Sequence, residues 1–390
     1  LKKEDEMAIP NEFNISTRIV YGRNSAAQIG EIAAGLNLKK IQLVTDKGVA
    51  NSGTLDYLLN PFKTAGIDSI IFDDVEYNPT VQTVDKAVEQ FRNENCDGVI
   101  AVGGGSPIDA GKCVGVLATN PGSASEYLGV DMVKNPAAAV ICVPTTAGTA
   151  AEITDVAVLN DPTKRLKMGM RSPHVAAAVA LLDPVLTLTL PPGPTRDSGL
   201  DALTHAIESY ISVNSWRVTD TLNLRAIELI GRYLRTAVHN GNDIQARDGM
   251  LTASLLAGMG FHHTKLCLVH AITLPFGGIY NMPHGVGNAI VLPHAMKFML
   301  PGAVSKYVDI AVALGEDVSG MSERAAAEKA IAAVEQLSRD VDLPEGLSIY
   351  GAKEDDLPKF SESIAENFMV PLSPRIASAA DILEICKAAM

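Results

Sequence analysis

The sequence predicts an α/β unit built on a parallel sheet, followed by a mostly α-helical unit, with the boundary near residue 188. Three observations carry this. Residues 40–185 alternate short apolar runs with helix-like segments, the pattern of βαβ units. The sequence Pro191-Pro192-Gly193-Pro194 makes a rigid break, and beyond it strand-like runs nearly vanish. At 390 residues the chain is also long for a single hydrophobic core.

The predicted strands, in order, are "KIQLVTD" (40–46), "SIIFDDV" (69–75), "CDGVIAVGGG" (96–105), "AAVICVPTT" (138–146) and "AAVALLDP" (177–184). Near-continuous apolar runs suit parallel strands buried on both faces. Residues 80–95 show helical spacing, with Val81, Val84, Val88 and Phe91 on one side. Residues 196–260, 321–341 and 378–389, rich in Ala, Leu, Ile and Glu, read as helices.

Composition narrows the partners. Hydrophobic residues make up 47% and charged residues 20%, a compact composition that argues against disorder. A formal charge of −13 disfavours nucleic acid and anionic membranes, and the basic cluster "KRLK" (164–167) is too short to change that. Five cysteines without a CxxC pair fit a reducing cytoplasm. No apolar run approaches the ~20 residues of a membrane span. The segment "LKKEDEMAIP" lacks the apolar core of a signal peptide.

At the end of the third predicted strand, "VGGGSPIDAGK" carries Gly103, Gly104, Gly105 and Ser106 into a helix beginning near Pro107. Glycines let backbone approach an anion, and a helix N-terminus offers it free N–H groups. The turn is neither GxGxxG, because Ile108 holds the last glycine position, nor Walker A, because Ser106 and Cys113 break it. A glycine turn without ligand is the competing reading. A second loop, "VPTTAGTAAE", offers the hydroxyls of Thr145, Thr146 and Thr149. Asp46, at a strand end, suits either an ordinary turn or acceptance from ribose hydroxyls, which favours NAD over NADP.

Five of the eight histidines (His262, His263, His270, His284 and His294) crowd residues 262–294. Upstream, Asp201 and His205 stand at i and i+4 on a helix, a spacing that presents two ligands to one ion or simply stabilises the helix. Glu208 continues that face and is expected to orient His205. Together Asp201, His205, His270 and His284 offer one oxygen and three nitrogens, suited to Fe²⁺ or Zn²⁺ with room for a substrate oxygen.

The blocks "GGGSPIDAGK", "PTTAGTAAE", "GLDALTHAIESYI", "LVHAITLPFGG" and "NMPHGVGNAIVLPH" resemble, in order, the signatures of the iron-containing (group III) alcohol dehydrogenases. The family includes lactaldehyde reductases and 1,3-propanediol dehydrogenases. The resemblance implies a Rossmann-like dinucleotide-binding domain over 1–188, an all-α metal-binding domain over 189–390, and an active site in the cleft between. It places the metal, Fe²⁺ ahead of Zn²⁺, on Asp201, His205, His270 and His284. It places NAD on Asp46, Gly103, Gly104, Gly105, Ser106, Asp109, Thr145, Thr146, Thr149, Val158 and Lys167, and the substrate near Phe261 and Leu274.

The implied activity is reversible hydride transfer between NAD(H) and a small alcohol or aldehyde, in a homo-oligomer of two or more chains. A metal-dependent lyase of the dehydroquinate-synthase-like group and a non-catalytic nucleotide-binding module with a structural metal are the competing readings. One departure stands out. Many relatives carry a second histidine in a "VHxxxHP" pattern, and here that position is Leu274. His263, a water or a ribose hydroxyl would have to relay the proton in its place.

Overall fold

A computed structural model describes residues 11–163 and 166–390. The amino-terminal "LKKEDEMAIP", and Lys164 and Arg165 of the basic cluster, lie outside the described residues.

Among the described residues, nine strands occupy the first half: β1 (Arg18–Tyr21), β2 (Lys40–Val44), β3 (Asp68–Phe72), β4 (Gly98–Gly103), β5 (Gly129–Val130), β6 (Ala139–Pro144), β7 (Val156–Asp161), β8 (Leu166–Arg171) and β9 (Val179–Leu182). Six form one wholly parallel sheet in the order β1-β9-β6-β4-β2-β3. Its helices are α1 (Ile29–Gly35), α2 (Lys47–Asn51), α3 (Asp56–Thr64), α4 (Val81–Asn93) and α5 (Gly105–Thr119). β4 is buried along its whole length, as its unbroken apolar run requires. The strand order reverses at β2, with β3 on one side and β4 on the other, so a crevice opens at the carboxyl ends of β2 and β4.

The five predicted strands fall on β2, β3, β4, β6 and β9. Sequence reading missed β1, β5, β7 and β8. Two of these are short (RIVY and GV), and β8, "LKMGMR", is a poor strand former by composition. β7 and β8 pair antiparallel and, with β5, make a second three-stranded sheet. Helix α5 begins at Gly105, earlier than Pro107 suggested.

From residue 192 onward the described elements are helical: α6 (Pro192–Ile211), α7 (Arg217–His239), α8 (Ile244–Thr264), α9 (Leu268–Tyr280), α10 (His284–Met299), α11 (Val304–Ala313), α12 (Glu323–Asp340), α13 (Leu357–Ala365) and α14 (Ala379–Ala388). The region 196–260, expected to be helical, holds α6, α7 and most of α8. α6 lies in the middle of the bundle, and every residue from Gly199 to Ile211 is buried. The two halves share apolar packing, since Ala147, Ala150, Ile153, Ala180 and Leu182 join the helical core. Arg247 of α8 locks the connection, donating to the carbonyls of Leu190 and Gly241 at 2.9 Å each and to Thr195 Oγ1 at 2.7 Å.

One buried charge fixes the loop between the sheets. Lys112 of α5 is fully buried, and its Nζ donates to the carbonyls of Ala151 (2.9 Å), Thr154 (2.9 Å) and Val156 (2.5 Å). The ammonium therefore staples residues 151–156 onto α5 and sets where β7 starts. Lys112→Met leaves three carbonyls short of a donor, and we expect a loss of about 2–4 kcal/mol. Urea unfolding monitored by far-UV circular dichroism checks this, and an unchanged midpoint would refute the staple.

Candidate metal centre

Three helices converge on one point. α6 presents Asp201 and His205 one turn apart, α9 presents His270 in its first turn, and α10 starts with His284 directly after Pro283. Each offers one ligand atom, and the four atoms all lie within 4.8 Å of one another. His205 Nε2 and His284 Nε2 lie 3.8 and 3.9 Å from Asp201 Oδ1. Asp201, His205 and His270 are buried, while an edge of His284 remains open to the cleft.

The imidazoles are held in the tautomer that a cation requires. His270 Nδ1 donates to Glu208 Oε2 at 2.6 Å, and His205 Nδ1 faces the Gly148 carbonyl at 3.2 Å. In both rings Nε2 therefore carries its lone pair towards the other ligands. Burial holds His205 below the ordinary histidine range and pushes His284 down to about 3, although Asp201 opposes the shift in both. Burial alone would raise Asp201, but His205, His284 and His270 together keep its carboxyl below its usual value. Three neutral nitrogens and one carboxylate fit a borderline divalent cation.

Glu208 serves a different histidine from the one expected. It is fully buried, and its carboxylate accepts from the backbone N–H groups of Val269 (2.6 Å) and Cys267 (3.2 Å) as well as from His270. It caps the start of α9 and orients the third ligand in one arrangement. Periodicity gives the side of α6 on which Glu208 stands, whereas the helix docked there depends on the tertiary fold.

Asn288 was missed altogether. It is fully buried, and its Nδ2 lies 2.8 Å from Asp201 Oδ1, 3.0 Å from His270 Nε2 and 3.2 Å from His284 Nε2. Thr273 Oγ1 donates to its Oδ1 at 2.6 Å and so turns the amide N–H groups inward. The available signal was its spacing, i+4 from His284 on α10.

The residues expected to hold the cofactor lie at the carboxyl ends of β2, β4 and β6 and on α5 and the β7–β8 hairpin beside them. Gly103 has φ +147°, and a Cβ there would lie 2.6 Å from Pro107. A Cβ on Gly105 would lie 2.9 Å from Thr149, so the glycine turn and the threonine loop are in close approach. Thr145 N donates to the Gly103 carbonyl at 2.9 Å, and Gly104, Gly105, Ser106 and Thr146 are half-buried. Asp109 accepts from Val158 N at 3.0 Å, and burial pushes its carboxyl up to about 6. Lys167 Nζ donates to Asn78 Oδ1 at 2.8 Å, and burial lowers its pKa against the pull of Asp109 and Asp201. Asp46 caps α2 by accepting from Val49 N at 2.9 Å.

Phe261 packs on the His205 ring, with centroids 4.5 Å apart, and Leu274 packs half-buried against the helical core. His263 cannot stand in for the missing histidine. Its Nδ1 faces the Met259 carbonyl at 2.8 Å and its Nε2 accepts from Asn14 N at 3.0 Å, while Phe13 stacks on the ring at 4.2 Å. Both nitrogens are committed.

Two outcomes follow from this geometry. Glu208→Gln removes the charge that fixes His270, and metal affinity measured by competition with a chelator should fall about 10–100-fold. An unchanged affinity would remove Glu208 from the centre. The depressed histidines also set a pH response. Below about 6.5 the unfolded chain takes up protons that the folded His205 and His284 refuse. In the ion-free protein these two histidines therefore cost stability as pH falls, down to about 3 for His284, while Asp109 and Glu152, raised by burial to about 6 and about 7, act in the opposite sense. Urea midpoints of the wild type and of His284→Gln between pH 7.5 and 5 isolate the histidine contribution, and an identical pH slope in both contradicts it.

The same chain matches two family descriptions: "Iron-containing alcohol dehydrogenase" over residues 16–184 and "Fe-containing alcohol dehydrogenase family, C-terminal" over 195–390. It is 42% identical over 371 residues to a 1,3-propanediol dehydrogenase of Klebsiella pneumoniae, covering 95% of this chain and 96% of the relative. It is 36% identical to an NAD-dependent methanol dehydrogenase of Bacillus methanolicus, covering 97% and 99%. A crystal structure of 1,3-propanediol oxidoreductase superposes with a TM-score of 0.95 at 40% identity, covering 98% of this chain and all of the other. These relatives are named as oxidoreductases, which sets aside the lyase and the non-catalytic readings. The chain belongs to the iron-containing alcohol dehydrogenase family, and it is a metal-dependent oxidoreductase of alcohols and aldehydes.

Proposed function

We propose that this enzyme moves a hydride reversibly between NAD(H) and a small alcohol or aldehyde, in a cleft between a dinucleotide-binding domain (1–188) and a metal-binding domain (189–390). The observation that carries the reading is the convergence of four ligand atoms within 4.8 Å of one another, from Asp201, His205, His270 and His284. A divalent ion held by these four, Fe²⁺ ahead of Zn²⁺, supplies Lewis acidity that polarises a carbonyl oxygen. NADH supplies the hydride, and that chemistry belongs to the cofactor.

The chain's own residues bind and orient. The free N–H groups at the start of α5 and the close-packed Gly103–Gly105 turn receive the pyrophosphate, with Thr145, Thr146 and Thr149 beside it. Asp46 accepts from the ribose and disfavours a 2′-phosphate. Asp109 and Lys167 stand between the glycine turn and the ligand set, since Lys167 feels both Asp109 and Asp201. Val158, Phe261 and Leu274 give the reacting carbon an apolar wall, which excludes water. With Leu274 apolar and His263 committed, the alcohol proton travels through water or a ribose hydroxyl.

We further propose a cytoplasmic homo-oligomer of two or more chains. Among the described residues no helix is long and apolar enough to cross a membrane, which is compatible with that location. The decisive experiment uses protein purified anaerobically and loaded with Fe²⁺, assayed for NADH oxidation across an aldehyde panel. Chelation should abolish turnover and Fe²⁺ restore it. His270→Ala should lose both metal and turnover yet still quench on NADH titration. A fully active, metal-free His270→Ala enzyme would refute the proposal.

A further inference from the structure

One group of charges is used neither by the metal set nor by the glycine turn. The last turns of α8 lie against the sheet-bearing half: a Cβ on Gly258 would lie 2.3 Å from Ala150, and Phe261 packs on His205. His262 adjoins Phe261, and Lys265 caps the end of α8 with its Nζ turned back onto the His262 carbonyl. The β7–β8 hairpin faces them. Side chains alternate along a strand, so Lys167, Gly169 and Arg171 share one face of β8. Val158 and Val156, the cross-strand partners of Gly169 and Arg171, share it too. This face is turned to the metal set, because Lys167 feels Asp201 and a Cβ on Gly277 of α9 would lie 3.8 Å from Lys167 Nζ. Arg171 therefore enters the same cleft, about 13 Å along the strand from Lys167.

The charges there do not balance. Arg171 is half-buried, and its guanidinium has no hydrogen-bond or ion-pair partner among the described residues. Among the described residues the ammonium of Lys265 bonds only to the His262 carbonyl. Burial lowers Lys265 to about 8, and the Arg171 charge adds to the shift. One carboxylate faces the pair. Asp155 lies 3.7 Å from His262 Nδ1, and its Oδ1 is buried without a hydrogen-bond partner. Two half-buried cations against one acid leave excess positive charge, and a cation out of water without an acceptor is costly. An anion brought into the cleft relieves it.

We propose that Arg171 and Lys265 form an anion subsite at the far end of the substrate cleft, so that the preferred aldehyde carries a carboxylate a few carbons from its carbonyl. This rests on the reading of the chain as an NADH-dependent aldehyde reductase. Val158 and Phe261 then line the apolar middle of the substrate, between the metal set and the two cations.

The test compares 4-oxobutanoate with its neutral isostere 4-oxobutanamide, using Fe²⁺-loaded enzyme and NADH oxidation, with propanal as a third aldehyde. The expected kcat/KM for the anion exceeds that for the amide by about tenfold or more. Arg171→Met and Lys265→Met should each collapse that ratio about tenfold, chiefly through KM for the anion; NADH fluorescence titration reports whether each variant is folded. A wild-type ratio near one, or a ratio that neither variant moves, overturns the subsite. Turnover of propanal with neither four-carbon aldehyde accepted also overturns it, and leaves the aldehyde reductase reading standing. Loss of all three activities in the loaded wild-type enzyme refutes that underlying reading instead.

Discussion

The buried carboxylate of Glu208 is the constraint from which the rest of the centre follows. A charge taken fully out of water must be answered by donors, and Glu208 finds them in the first N–H groups of α9 and the Nδ1 of His270. These partners tie the position of a helix to the tautomer of a ligand. If α9 slides, His270 loses its orientation; if His270 turns, the helix start loses its cap. The metal set therefore depends on the packing of α6 against α9, and the long buried run from Gly199 to Ile211 holds that packing. Asn288 and Thr273 do the same from the α10 side, so each of the three helices is referenced to the other two through a polar contact.

Much of this was legible in the sequence, for reasons particular to each residue. Asp201 and His205 were legible as neighbours because a helix converts spacing into proximity without outside help, although that spacing alone suits a helix-stabilising pair as well. His270 and His284 needed the resemblance, since a histidine in "LCLVHAITL" has the same periodicity whether it binds a metal or packs in a core. Glu208 was placed on the correct side of α6 but given the wrong partner. Its angular position is local, while the arrival of α9 is not. The strands of the larger sheet were readable from their apolar runs. The β7–β8 hairpin was not, because "LKMGMR" carries its information in Lys167 and Arg171 rather than in hydrophobicity, and Arg171 meets Lys265 only once α8 has docked.

The leucine at position 274 gains a clearer meaning from the fate of His263. With a histidine available nearby, an apolar residue four places after the third ligand would have been a relocation of the relay. The structure commits both His263 nitrogens and stacks the ring on Phe13, so no imidazole has moved into the role. His262 is no better placed, since burial pushes it down to about 4 and Asp155 is its neighbour. In the proposed active site the wall around the reacting carbon is then apolar on the Leu274 side as well as at Val158 and Phe261. An apolar wall lowers the local dielectric and strengthens whatever charges remain in reach.

That last effect reconciles a chain of net charge −13 with the anionic cofactor proposed for it. At distances beyond a Debye length, salt screens the overall repulsion. Within the cleft, recognition is set by groups fixed in place: N–H groups at the start of α5, the half-buried Lys167, and the Arg171 and Lys265 pair at the other end. The acids that face them are few, and apart from Asp155 beside His262 they are individually occupied. Asp109 receives a backbone N–H, Asp201 is ringed by histidines and Asp46 caps a helix. The surplus of negative charge is carried by the exterior, where it is solvated and nearly free of cost, while the interior of the cleft keeps a local positive balance. Net charge therefore describes the solubility of this protein, and placement of a few half-buried cations describes what it binds.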